Sequence, residues 1–129
     1  MNNNPIEESL RYVENARITL KEHGKLDVET ASYEDSKYVR AAGNYLWLAV
    51  LIALESVFHL KQNKKSRVDI DDYKALITKR DKKLLTTVNN AYNTLHLSMN
   101  YDGIQAKETC DLGFRLAREI IDRCAAMLP

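Results

Sequence analysis

The chain has 129 residues, 45% of them hydrophobic and 29% charged, a length and balance that bury one core without a disulfide, a metal or any cofactor. Nineteen basic and eighteen acidic side chains nearly cancel, which argues against nucleic acid held by bulk charge alone. The start, MNNNPIEESL, lacks the basic and apolar parts of a secretion signal, and the longest unbroken apolar run, 45–54, is far short of the roughly 20 residues that span a bilayer. A cytoplasmic single domain over 1–129, with no membrane partner, is expected.

Asn4, Pro5, Glu7 and Glu8 open the first helix: a capping side chain, proline in the first turn, and carboxylates at the positive end of the dipole. Ile6, Leu10, Val13, Ala16 and Leu20 form its apolar stripe, and His23–Gly24 closes it with a left-handed glycine. The connection KLDVETASYED (25–35) is polar and is assigned no stable element, apart from a turn after Asp27. It is long for a helical bundle, and such connections often carry something or cover a core edge.

The central helix runs from Ser36 to Leu60, capped by Ser32 or Asp35. Val39, Ala42, Leu46, Ala49, Ala53, Val57 and Leu60 make one stripe, and Leu48, Leu51, Ile52 and Phe58 widen it around the sides. A helix this apolar is packed on several sides or shared with a second subunit. Its small residues, Ala41, Ala42, Gly43, Ala49, Ala53 and Ser56, admit close neighbours. Tyr45 and Trp47 should cover core edges or a dimer interface, because their polar atoms need partners.

KQNKKSR (61–67) reads as a basic loop. Asp69 caps the next helix, with Asp71 and Asp72 in its first turn. Tyr73, Leu76 and Ile77, then Leu84, Leu85, Val88, Ala91, Tyr92 and Leu95, carry its apolar face. The join at Thr78–Lys83 is either a kink or a break into two helices with Asp81 capping the second. Tyr101, Asp102 and Gly103 end this unit in a turn. The last helix spans Gln105 to Leu128, with Leu112, Leu116, Ile120 and Met127 in line and Ala117, Ile121 and Cys124 beside them. Gly113 costs about 1 kcal/mol of helix propensity against alanine, so its use is close packing. No stretch alternates with a strand's period. The fold class is all-α, a four- to five-helix antiparallel bundle.

Cys110 and Cys124 lie about 21 Å apart along that last helix, too far to pair within it. Buried or half-buried free thiols are the plain reading, and an intermolecular disulfide the other. His23, His59 and His96 have no i,i+4 ligand partners, so no metal site is proposed. Neither a phosphate-binding glycine loop nor a nucleophile elbow is present. The carboxylate pairs Glu7/Glu8 and Asp71/Asp72 are accounted for by helix starts.

Charge is uneven. From Lys64 to Lys83 eight basic residues (Lys64, Lys65, Arg67, Lys74, Lys79, Arg80, Lys82, Lys83) face four acidic ones (Asp69, Asp71, Asp72, Asp81), while residues 1–35 hold eight acidic against four basic. A solvated face is one reading of the basic segment. A site for RNA or another polyanion on Lys64, Lys65, Arg67, Lys79, Arg80, Lys82 and Lys83 is the second.

The amphipathic first helix, the long Ala- and Tyr-rich second helix, the turn NAYNTLHLSMNYDG and the apolar-faced last helix resemble the HEPN superfamily (higher eukaryotes and prokaryotes nucleotide-binding domain), small helical bundles that usually dimerise. SYEDSKYVRAAGNYLWLAVLIALE with YDG and GFRLAREII also resembles a bacterial domain-of-unknown-function family of that shape. HEPN ribonucleases share an Arg, four residues, then His; laid onto this chain, those positions fall at His96 and Tyr101, so neither functional residue stands there. Arg17 and His23, the other pair at similar spacing, diverge on their helix. His96, Tyr101 and Asp102 could mark a vestigial pocket; alternatively Tyr101 packs over the helix end and His96 lies on a polar flank. The expected function is a non-catalytic interaction module, a homodimer packed through the central and last helices and open to another protein partner. The alternative is an RNA-acting or nucleotidyltransferase-partnered protein of HEPN type with a degenerate motif.

Overall fold

The computed structural model describes residues 4–63 and 68–129. The elements in order are α1 (Pro5–Thr19) with a π-helical last turn (Leu20–Gly24), a β-hairpin of β1 (Leu26–Asp27) and β2 (Ser32–Tyr33), α2 (Ser36–Phe58), α3 (Leu60–Asn63), α4 (Ile70–Arg80), α5 (Lys82–Ala91) running into a π-helix (Tyr92–Tyr101), and α6 (Lys107–Met127). The all-α class holds: the only sheet among the described residues is the two-stranded hairpin.

Local chemistry sets most of the boundaries. Asn4 accepts from the backbone of Ile6 and Glu7 to start α1, and Asp35 accepts from Lys37 N to start α2. Asp69 and Asp72 form a reciprocal capping box on α4. The doubtful join resolves into two helices. Asp81 ends α4 in extended backbone and its side chain accepts from Leu84 N to begin α5.

The helix ends depart from expectation at two places. The left-handed residue after the first helix is Lys25 (φ 55°), not Gly24. Gly24 serves a different need: a Cβ there would lie 2.9 Å from the Tyr33 ring, so glycine lets the hairpin fold back over the helix end. The residues Lys61–Asn63, read as loop, belong to the short helix α3.

The connection 25–35, read as lacking a stable element, holds the hairpin. Leu26 pairs with Tyr33 and Asp27 with Ser32, and Asp27 accepts from Glu29 N and Thr30 N to make the turn. The fold supplies what two-residue strands lack. Tyr33 N donates to Gln105 O at 2.8 Å, Gln105 Nε2 returns to Tyr33 O at 2.9 Å, and Lys107 N donates to Ala31 O at 2.9 Å. The hairpin is thereby tied to the start of α6.

α2 lies at the centre, against α1, α6 and the π-helix. Val39, Ala42, Leu46, Ala49, Val50, Ala53 and Leu54 are wholly buried, and each such Val or Leu contributes about 1.5–3 kcal/mol relative to exposure. Val50 and Leu54 extend the expected stripe, whereas Val57 and Leu60 at its end are half-buried. Ser9 lets α1 approach closely and donates to Ala49 O at 2.9 Å. On α6, Cys110, Gly113, Leu116, Ala117, Ile120, Ile121 and Cys124 face inward, while Leu112, expected in that line, is 38% exposed. Both cysteines are free and buried. In length and composition α2 could cross a membrane, with a mean hydropathy of 1.5 over its best 18 residues, but half of that window is buried inside the bundle.

The π-helix is the main departure from the expected geometry. Its wide turns bring the chain against glycines on both neighbours. A Cβ at Gly43 would lie 2.6 Å from Asn100 N and from Met99 Cβ, and one at Gly113 would lie 2.7 Å from Met99 Sδ. Gly113 thus has the close-packing role expected of it. Asp102 N donates to Leu97 O, and Gly103 (φ 66°) completes the stop.

Candidate functional site

Tyr92 and His96 stand four residues apart on the π-helix and meet Trp47 from α2. The His96 ring stacks on Trp47 with centroids 5.6 Å apart and lies 5.3 Å from Tyr92, and Trp47 meets Tyr92 edge-on at 5.7 Å. These three side chains wall a pocket of about 270 Å³ completed by Leu51, Lys61, Val68, Asp69, Ile70 and Tyr73. Nδ1 of His96 is buried and has no hydrogen-bond partner among the described residues. A buried imidazole nitrogen normally finds one, from protein or from ordered water.

The rest of the wall is fixed. The buried Tyr73 hydroxyl donates to Glu55 at 2.7 Å, and Glu55 also accepts from Lys61 N at 3.0 Å, tying α3 to α2. Burial, aided by the Glu55 carboxylate, pushes the Tyr73 hydroxyl well above the usual tyrosine range, so it remains a donor. Lys74 sits 5.1 Å over the outer face of Tyr92.

His96 therefore lies among aromatic rings and not on a polar flank. Tyr101, expected either beside it or packed over the helix end, is 73% exposed. Its carbonyl and that of Asp102 accept from Arg40, which also covers Gly103. Arg40 and Trp47 are two turns apart on α2, and neither Tyr101 nor Asp102 lines the pocket that holds His96. Among the described residues no carboxylate is hydrogen-bonded to His96, which is the contact an oriented acid–base pair needs. Its chemistry suits stacking or the seating of an apolar side chain. Among the described residues no cluster of His, Cys, Asp or Glu could hold a metal ion.

Of the candidate polyanion residues, Lys64, Lys65 and Arg67 lie outside the described residues. Lys79, Arg80, Lys82 and Lys83 are exposed on either side of the Asp81 break, where Asp81 pairs with Arg123 at 3.2 Å. Arg80 rests 5.8 Å over Phe58. In the sequence Trp47 and His96 stand out separately, and Tyr92 reads as core. The signal for the site was the i,i+4 aromatic pair Tyr92/His96, whose partner on α2 no local pattern could name.

The family described as Domain of unknown function (DUF5618) matches residues 4–126. A solved protein of unknown function from Dyadobacter fermentans is 37% identical in sequence and superposes with a TM-score of 0.86, covering 97% of this chain and 96% of that one. No curated protein matches.

Proposed function

We propose that this chain, which belongs to the DUF5618 family, is a non-catalytic helical interaction module of HEPN-like shape that works in the cytoplasm as a homodimer. One observation carries the reading. α1, α6 and the π-helix cover three sides of α2, but a fourth stays open, with Leu48 37% exposed and Leu51 and Ile52 half-buried. Leu51 and the adjacent Trp47 also line the aromatic pocket, so a protruding leucine and a recess lie side by side on one face. A two-fold interface needs a patch that is complementary to itself, and a knob beside a hole meets that need. The aromatic ring set supplies the kind of anchor that dominates interface energy. On this reading the seam lies on the outer face of α2, where the sequence led to an expectation of α2 and α6 together.

Size-exclusion chromatography with light scattering tests the proposal. A dimer at micromolar concentration that becomes a folded monomer on Leu48→Glu is expected, and a monomeric parent protein refutes it.

A second reading, an RNA-acting or nucleotidyltransferase-partnered protein, draws on Lys79, Arg80, Lys82 and Lys83 at the α4–α5 corner. Phosphate binding would fall steeply between about 50 and about 200 mM salt, and absence of RNA binding at the lower salt ends this reading. If His96→Ala and Tyr101→Phe leave a detected nuclease activity untouched, those residues are not its site.

A further inference from the structure

A second and larger cavity lies where the long connection meets α1 and α6. The π-helical last turn of α1, the hairpin and the outer side of α6 enclose a groove of about 620 Å³ lined by Arg17, Leu20, Lys21, Leu26, Tyr33, Asp111, Phe114 and Arg115. That volume falls within the range of small-molecule sites. The walls are preformed. Gly24 admits the Tyr33 ring against Leu20, and Gln105 and Lys107 hold the hairpin in place. Each of the two π-helical segments among the described residues borders a cavity, and such segments recur at functional sites.

The lining is chemically two-sided. Leu20, Leu26, Tyr33 and Phe114 make an apolar floor, and Leu26 remains 39% exposed. Three cations, Arg17, Lys21 and Arg115, share the rim with one carboxylate, Asp111. Asp111 is already paired with Lys107 at 2.6 Å and Arg17 with Glu14, whereas Arg115 has no hydrogen-bond or ion-pair partner among the described residues. The Tyr33 hydroxyl likewise has none there. Partial burial holds its pKa above the ordinary tyrosine value, so it stays a donor.

We propose that this groove binds a small amphipathic anion, its apolar body over Leu20, Leu26 and Phe114 and its acidic head between Lys21 and Arg115, with the Tyr33 hydroxyl donating to the head. Charge complementarity selects the class: an uncharged apolar molecule would leave the cations unused, and an amphipathic cation would meet them head-on. The site is independent of the proposed dimer seam on α2, so failure of one leaves the other standing.

Isothermal titration calorimetry with decanoate, below its micelle concentration, tests the proposal against decyltrimethylammonium and acetate. Saturable binding at one site per chain is expected for decanoate and for neither control. Arg115→Gln and Lys21→Gln, both at exposed positions, should each weaken it about tenfold, the loss of a charge-assisted contact. Leu26→Ser should weaken it with the charges intact, and His96→Ala in the other pocket should leave it unchanged. Non-saturable uptake, equal binding of the cationic probe, indifference to Arg115→Gln and Lys21→Gln, or loss on His96→Ala would each overturn the assignment.

Discussion

Replacing Gly43 by alanine tests the packing that positions the aromatic pocket. A normal carbon contact is about 3.5–4.0 Å, yet the new Cβ would sit 2.6 Å from Asn100 N and Met99 Cβ and 2.9 Å from Leu95 O. Two of these three atoms are backbone, so rotamer changes cannot relieve the overlap. α2 and the π-helix must separate locally by about 1 Å, which forfeits a quarter to a half of each contact along the seam. Overpacking costs about 1–3 kcal/mol, and the upper end applies where backbone is struck. Alanine returns about 1 kcal/mol of helix propensity. A net loss of about 2 kcal/mol remains, a fall in Tm of roughly 6–10 °C for a domain of this size.

Gly113→Ala is the matched control. Its Cβ would meet Met99 Sδ at 2.7 Å and Leu95 Cδ2 at 2.9 Å, the far ends of flexible side chains, so relief is cheap and the net change should stay within about 1 kcal/mol. Thermal unfolding followed by circular dichroism, with Trp47 fluorescence reporting the pocket, measures both variants. If Gly43→Ala leaves Tm unchanged, or costs no more than Gly113→Ala, the argument from backbone contact is wrong.

Three further outcomes are expected. Asp81→Ala removes both the α5 cap and the contact with Arg123 and should cost about 2 kcal/mol in urea unfolding; Asp81→Asn retains the cap and should cost roughly half as much. Tyr73→Phe deletes the 2.7 Å donor to Glu55 and should cost about 1.5–2 kcal/mol, with no loss if Glu55 simply rehydrates. Burial pushes the Cys110 thiol to about 11 and that of Cys124 to about 12. In the unfolded chain thiols ionise near 8.5, so their contribution is whole below that pH and is lost as pH rises through the folded values. Both thiols should resist a disulfide reagent in the native protein and react in denaturant, and Cys110→Ala with Cys124→Ala should flatten the alkaline loss of stability.

The sequence by itself determined the helices and most of their ends, because caps and apolar periodicity act within a few residues. Asn4, Asp35, Asp69 and Asp81 each hold backbone groups within three positions, whereas the choice between a kink and a break at Thr78–Lys83 is open in the sequence and is decided by the extended backbone at Asp81. The core face of α2 was legible for the same reason, down to the small residues along it. Only the tertiary structure decided the π-helix, the hairpin and the two cavities. Gly43 meets Asn100, Gly24 meets Tyr33, and Tyr33 is held by Gln105; each depends on segments far apart in the chain or on a side chain folding back across a turn. Tyr92 reads as part of a helix's apolar face and Tyr33 as part of a polar connection, and neither local pattern names its neighbours. Trp47 and His96 make one a stacking wall, while Leu20 and the cations of α1 and α6 make the other a donor over an apolar floor, and those neighbours exist only once the helices have packed.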